Sequence, residues 1–367
     1  MKITIIGGGN LSHVMSSVLA SNGYDVTVIT RNPNKWSNVI KTIDFDNKEY
    51  TGTIKITDSY ENVIPYTDHI LLCLPGHVID NVLRKIQPYY NKKTIIGSVF
   101  SSCGFFWMAK KILGENSRIY GFQRVPYMSG TIEYGKIGKI TGYKKLHRIG
   151  ILSGFGDTTE LTRLYNNILT GDINYINSHL EISLTNSNPL LHIAKLYHIH
   201  KKWIGGIKEE NVPLFYKSWE NESSELLLKM DNEFHHILKD LPIDKIHTPT
   251  ILDHYESHDV SSLTNKITSI GAFQKVKTPT ILKNGVLQLN TDHRFFQEDI
   301  PYGLVVIKSI AILQNKKTPV IDSIIFEFQK IMNKEYYKNE SDPGKNFNEC
   351  GAVQNYGINS IDDLIKI

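Results

Sequence analysis

Apolar residues in the first 122 positions fall into short unbroken runs separated by stretches of helical spacing. ITII at 3–6, VTVIT at 26–30, HILLCL at 69–74, TIIGSV at 94–99 and RIYGF at 118–122 read as strands buried on both faces. Between them, Val14, Met15, Val18 and Leu19, and again Val78, Val82, Leu83 and Ile86, recur at helical spacing, and an amphipathic segment lies near 105–113. This alternation predicts an α/β fold with an N-terminal Rossmann-type doubly wound parallel sheet. Around 137–152 the texture changes to short β-type runs punctuated by Gly and Lys. We read a β-rich annex there, with Lys136, Lys139, Lys144 and Lys145 on a solvated face. From about residue 178 helical periodicity takes over. Residues 180–203 form one long helical pattern with Pro189 inside it, so a kink or break is expected there. Further helices are predicted over 223–241, 258–273, 299–315 and 318–333, the last two opened by Asp299 with Pro301 and by Thr318 with Pro319. The expected domains are 1–177, a dinucleotide-binding domain with its annex, and 178–367, an all-helical substrate domain. An active site is expected in the cleft between them.

Composition excludes more than it selects. Hydrophobic residues at 41% and charged residues at 21% belong to an ordinary soluble globular protein. The net charge of +4, from 41 basic and 37 acidic residues, is too weak and dispersed to imply a nucleic-acid partner. The apolar stretch at 303–313 is short and carries Lys308, so no membrane span is expected. A signal peptide is not expected either, because glycines follow only four apolar residues at the start. Cys73, Cys103 and Cys350 are far apart and unpatterned, which points to a reducing, cytoplasmic compartment.

Chemistry enters with GGGNLS at 7–12, set between a strand and a helix. In that context the motif reads as a dinucleotide fingerprint. Gly7 permits the tight turn, Gly9 lets a pyrophosphate approach the backbone, and Asn10 and Leu11 open the helix whose N–H groups face the anion. Ser12 stands where a third glycine is usual and is small enough for helix–strand packing. NAD binders place an acidic residue at the end of the second strand. Here that place reads Thr30-Arg31-Asn32, with Lys35 nearby, while Asp25 sits at the strand's other end. A guanidinium suits a 2′-phosphate, so NADPH is favoured over NADH. Leu74 and Pro75 follow a strand's carboxyl end, on the edge where such sheets bind ligands.

Reduction by a nicotinamide needs an acid or base beside the reacting carbon, and histidine is the usual one. Among 14 histidines, His192 stands out in NSNPLLH, three residues after Pro189, where a broken helix turns polar groups toward a cleft. DHRFFQEDIPYGL at 292–304 gathers Arg294, Glu298 and Asp299 around two phenylalanines just before a helix start. Neither His254/His258 nor His235/His236 has the context of a metal site, and no metal is expected.

Asn188-x-x-x-His192 followed about a hundred residues later by R-F-x-x-E-D-x-P-Y-G-L resembles the octopine/nopaline (opine) dehydrogenase family. GGGNLSH at 7–13, Gly104–Trp107, FQRVPY at 122–127, residues 214–233 and TPVID at 318–322 fit the same resemblance. FQRVPY and Thr30-Arg31 look closer to the bacterial metallophore-type members than to the NAD-dependent invertebrate ones. The resemblance implies reductive condensation of an α-keto acid, often pyruvate, with the amino group of an amino acid or amine-bearing precursor, and a homodimer is compatible with it. It further implies His192 as general acid/base, oriented and kept basic by Asp299, and Arg294 as the anchor of the keto-acid carboxylate. Asn186, Asn188, Gln123, Arg124 and Tyr127 are candidate substrate contacts. The chain departs from the family where an acidic residue often precedes Trp107, which leaves the amine open. Two rival readings remain: an NADP-dependent hydroxy- or keto-acid reductase of the ketopantoate-reductase or 6-phosphogluconate-dehydrogenase kind, using a helical-region lysine such as Lys195 or Lys201, and a non-catalytic NADP-binding regulatory protein.

Overall fold

Unbroken β-branched runs become central strands where both faces of a sheet are covered. In the computed structural model, which describes residues 1–102, 104–185 and 188–367, these runs lie in a first unit, Met1–Ser183 with Ile367. Leu184–Lys366 form the second unit. The first unit runs β1 (Lys2–Ile6), α1 (Asn10–Ser21), β2 (Asp25–Ile29), β3 (Val39–Ile43), β4 (Glu49–Thr53), β5 (Lys55–Thr57), β6 (His69–Leu72), α2 (Gly76–Ile86) and β7 (Ile95–Ser98). It continues with α3 (Phe105–Leu113), β8 (Arg118–Phe122), β9 (Met128–Glu133), β10 (Ile137–Gly142), β11 (Leu146–Ile151), α4 (Thr159–Ile168), β12 (Asp172–Ile176) and α5 (His179–Ser183). The main sheet has eight strands in the order β12-β11-β8-β7-β6-β1-β2-β5. Its neighbours are parallel except at β8–β11.

A second sheet, β4-β3-β10-β9, lies across α1. The annex thus begins at Val39, well before residue 137, and β11, expected in it, pairs with β8 in the main sheet instead. Strands β3 and β4 escape an apolar-run reading because only one face is covered, so buried and exposed positions alternate. Contact with α1 is close enough to demand glycine. A Cβ at Gly52 would lie 2.4 Å from the Ala20 Cβ, and one at Gly138 would lie 3.1 Å from the His13 Cβ. Sandwiched between two sheets, α1 is buried without a break from Ser12 to Leu19. Helix α5, expected in the second domain, belongs to the first unit.

The second unit comprises α6 (Asn188–Lys202), α7 (Asn221–Leu238), α8 (Ile251–His254), α9 (Val260–Ser269), α10 (Arg294–Gln297), α11 (Val305–Leu313), α12 (Pro319–Ile331) and α13 (Ile361–Ile365). Helices dominate it, as expected. An antiparallel hairpin, β13 (Thr280–Lys283) and β14 (Val286–Leu289), interrupts it. The long pattern over 180–203 breaks ahead of Pro189, and α6 starts at Asn188 with the proline in its first turn, where a missing N–H costs no helical bond. Asp299 caps no helix end: Ile300–Leu304 form a π-helical turn that runs straight into α11, and the Asp299 backbone is already helical. Thr318 does not cap α12 through its hydroxyl, which donates to Asp322 Oδ1 at 2.9 Å. The free N–H groups of Val320 and Ile321 instead donate to the Glu233 carboxylate from α7, at 2.8 and 2.9 Å. Among the described residues no helix is long and apolar enough to cross a membrane.

Candidate active site

The register that aligns Ile6 with Ile29 and Leu72 brings the carboxyl ends of β1, β2 and β6 side by side. The glycine turn leaves from the middle of that row. Gly7 has φ 140°, and a Cβ there would lie 2.4 Å from the Cys73 carbonyl oxygen and 2.8 Å from Ser12 Oγ. Gly9 is the reverse: it is exposed, and a Cβ there would meet nothing within 4 Å. It opens α1 with no side-chain cap and no acidic residue in the first turn. Bare N–H groups at a helix start beside open space suit a pyrophosphate, so these residues fit a dinucleotide.

Thr30 is buried just beyond β2, whereas Arg31 and Lys35 are exposed, the latter in the tight turn Pro33–Lys35. Arg31 pairs with no carboxylate among the described residues. Burial, with Arg31 adding to it, holds the His77 imidazole below its ordinary pKa, so His77 at the start of α2 is a neighbour of this cation that sequence reasoning missed. Leu74 leads into Pro75, which occupies the N-cap of α2. Leu11 packs on the hydrophobic core and Ser12 is fully buried. The Asn10 side chain is exposed, and its Oδ1 accepts from Thr131 Oγ1 at 2.8 Å.

In the second unit, His192 on α6 and Asp299 ahead of α11 meet across 107 residues of sequence. The Nδ1–H of His192 donates to Asp299 Oδ2 at 2.6 Å, and both side chains are more than nine-tenths buried. This bond fixes the tautomer and leaves Nε2 as the nitrogen for chemistry. Gly303 makes the approach possible, since a Cβ there would lie 2.6 Å from the Pro189 Cβ. The π-helical turn that begins beside Asp299 is a kind of irregularity often found at functional sites.

Phe295 stacks on the His192 ring, centroids 3.8 Å apart, and the exposed Arg294 guanidinium lies 5.5 Å from the same phenylalanine's centroid. His192 and Arg294 therefore lie against one aromatic ring, and Asp299 joins them through the imidazole. Phe215 and Tyr216 complete the wall, each 6.2 Å from the imidazole. Burial above all, with Tyr255 and Asp299 adding to it and Arg294 opposing, pushes the Tyr216 hydroxyl's pKa up, so it stays a donor. His293 caps α10, its Nδ1 accepting the Phe295 N–H at 3.3 Å. Burial first, then Arg294 and His192, lower its pKa. Neither Tyr216 nor His293 was marked by spacing. Their sequence signal is position alone: Tyr216 lies within residues 214–233, quoted for the family resemblance, and His293 directly precedes Arg294.

The candidate substrate contacts fare unevenly. Asn188 opens α6 one turn before His192, on the same helix face. Asn186 lies outside the described residues, as does Cys103. Gln123 is buried and donates from Nε2 to the Glu181 carbonyl at 2.8 Å, and Tyr127 is buried with its hydroxyl donating to the Ile168 carbonyl. Both side chains thus have hydrogen-bond partners within the first unit. Arg124 is half-buried near Lys144, whose pKa burial pushes down to about 8 with Arg124 adding to the effect. Lys144 is thus half-buried on the face read as solvated. His198, Glu220 and Glu222 place ligand-type atoms within 4.8 Å of one another, but Lys202 already occupies Glu220 at 2.7 Å.

Residues 175–332 match the family described as NAD/NADP octopine/nopaline dehydrogenase, alpha-helical domain, and residues 2–100 match NADP oxidoreductase coenzyme F420-dependent. Octopine dehydrogenase of Pecten maximus is 24% identical over 394 residues, covering 100% of this chain and 98% of the relative. A solved octopine dehydrogenase with NADH and L-arginine has a TM-score of 0.85 at 23% identity, covering 100% of this chain and 98% of that one. The same enzyme solved with NADH and pyruvate gives 0.82 at 22%, with the same coverage. Yersinopine dehydrogenase with NADP+ gives 0.67 at 12%, covering 97% and 98%. The likeness in fold is greater to octopine dehydrogenase, at a TM-score of 0.85, than to yersinopine dehydrogenase, at 0.67.

Proposed function

As the chain belongs to the octopine/nopaline (opine) dehydrogenase family, we propose that it condenses an α-keto acid with the amino group of an amino acid or amine-bearing precursor and reduces the product with NADPH. It is on this reading an NAD(P)-dependent oxidoreductase acting on CH–NH bonds. The observation that carries the reading is the buried His192–Asp299 pair, beside the Arg294 guanidinium. Gly7, Gly9, Thr30, Arg31, Lys35, Leu74 and Pro75 would hold the cofactor, which when bound supplies the hydride. Pyruvate is the preferred keto acid, by likeness to the octopine dehydrogenase solved with it.

Arg294 binds the keto-acid carboxylate, matching a planar fork of donors to two oxygens. As the amine adds to the keto carbon and water leaves, His192 Nε2 delivers the proton that the departing oxygen needs. Asp299 keeps Nδ1 protonated and the ring aimed, and balances the positive charge the ring carries before it gives up that proton. Phe295 and Phe215 exclude water from the ring's flanks.

The reductase reading requires a lysine at the reacting group. Lys195 is buried and donates to the Ser218 carbonyl, and Lys201 bonds Glu327 at 2.9 Å, so neither supports it. A reducing, cytoplasmic setting is supported by the buried free thiols of Cys73 and Cys350.

A panel of keto acids and amines, followed by NADPH loss and product mass, tests the reaction. A secondary amine carrying both substrates' carbon skeletons is expected, and a hydroxy acid formed without amine would favour the rival. For the cofactor, fluorescence titration should give tighter binding of NADPH than NADH, because Arg31 faces the 2′-phosphate. Equal affinities would remove that argument.

A further inference from the structure

The dinucleotide fingerprint leaves its second position unrestricted, yet this chain has Gly8 there. Space explains it. A Cβ on Gly8 would lie 2.9 Å from Thr30 Oγ1 and 3.0 Å from the hydroxyl oxygen of Tyr134. Tyr134 belongs to neither the glycine turn nor β2. It comes from the turn between β9 and β10 in the annex, and it brings a phenol to the end of β2, where a Rossmann fold reads the 2′ position of the adenine ribose.

The turn is held there by two hydrogen bonds to the Gly135 backbone and by packing of the Tyr134 ring. Gly135 N–H donates to Nε2 of His13 at 2.7 Å, and His13 in turn donates from Nδ1 to the Gly9 carbonyl at 2.8 Å. The Gly135 carbonyl accepts the Ser37 N–H at 2.9 Å. Gly135 itself has φ 75°, and a Cβ there would lie 2.0 Å from the Lys35 carbonyl oxygen. The Tyr134 ring packs edge-on against His13 and Trp36, with centroids 5.3 and 6.0 Å away. Tyr134 is nevertheless 44% exposed, so the clamp holds its backbone and ring edge while leaving the side chain open to a ligand.

We propose that Tyr134 is a cofactor-specificity residue, its hydroxyl donating to the 2′-phosphate of the adenine ribose beside Thr30 and Arg31. The assignment rests on the NADPH reading above and extends it from the β2 end to the annex. It also gives the annex a function, as the third wall of the nucleotide site, and gives His13 one, as the residue that pins this wall to the glycine turn.

Calorimetric titration of the full chain with 2′,5′-ADP and 5′-AMP tests it without any nicotinamide chemistry. A lost hydrogen bond to a charged phosphate should make Tyr134→Phe bind 2′,5′-ADP about tenfold more weakly, with 5′-AMP changed by less than about twofold. The 5′-AMP arm also reports that the variant has folded. Equal losses for both ligands, or no loss for either, would overturn the assignment. If the wild-type chain binds 5′-AMP as tightly as 2′,5′-ADP, the NADPH reading falls and this proposal with it. Wild-type discrimination that survives intact in Tyr134→Phe overturns the role of Tyr134 alone.

Discussion

Gly9 in the first unit offers bare backbone and empty space, whereas His192 in the second is enclosed by a carboxylate and three aromatic rings. One centre is made by leaving side chains out, the other by crowding them together. The glycine turn can therefore be written in six consecutive residues, while the histidine centre needs residues more than a hundred positions apart. The two should also fail differently: the first through ligand affinity or backbone strain, the second through turnover.

The largest effect should come from His192→Ala. Loss of a positioned acid/base lowers kcat by roughly 10²- to 10⁴-fold, while cofactor affinity, set in the other unit, stays put. Arg294→Ala should instead raise KM for the keto acid, with a smaller loss in kcat. Steady-state kinetics beside cofactor titration separates these outcomes. Turnover that persists in His192→Ala would dismantle the dyad assignment, and an unchanged KM in Arg294→Ala would point to another anchor.

Within the glycine turn the contrast can be sharpened further. Gly7→Ala forces a positive φ and a clash with the Cys73 carbonyl, and should cost about 1–3 kcal/mol of stability. Gly9→Ala meets no protein atom, so unfolding should shift by less than about 0.5 kcal/mol. Its added methyl instead stands where the pyrophosphate approaches, and NADPH binding should weaken by about tenfold. Denaturant melts and cofactor titration of both variants check this. A Gly9→Ala chain with unaltered cofactor affinity would mean the pyrophosphate lies elsewhere.

The same difference governs what could be read in advance. Strands β1, β6, β7 and β8 are covered on both faces, so their residues announce burial without reference to partners. Strands β3 and β4 carry polar residues on an open face, and their burial depends on α1, a partner that no local pattern names. Asp299 shows the limit most clearly. As the acidic residue before Pro301 it reads locally as a helix cap, and only the resemblance suggested that His192 takes it. Tyr127 and Gln123 present the converse case. They follow a strand's carboxyl end, where ligands bind, but carbonyls of Ile168 and Glu181 claim them. Tyr134 gave no signal at all, because its proximity to Gly8 is a product of two sheets folding around one helix.

The smallest expected effect concerns a second buried side chain on α6. Lys195 lies about one turn beyond His192, but its ammonium has the Ser218 carbonyl where the imidazole has a carboxylate. Burial pushes its pKa down to about 8, with Lys202 adding to the shift and Glu220 and Glu222 opposing it. In the unfolded chain a lysine titrates near 10.4. Between those values the unfolded state keeps a proton that the fold has released, so wild-type stability should rise with pH across that window. Below pH 8 both states are protonated and the cost of the buried charge is present in full. Lys195→Met keeps an unbranched apolar stem and removes the charge. It should be as stable as wild type or up to about 2 kcal/mol more stable at pH 7, and the gap should close toward pH 10. Denaturant melts at pH 7 and at steps up to pH 10 measure the difference. Curves that stay parallel throughout would show that Lys195 keeps its proton in the fold, and that Ser218 with the nearby carboxylates solvates it as effectively as water does.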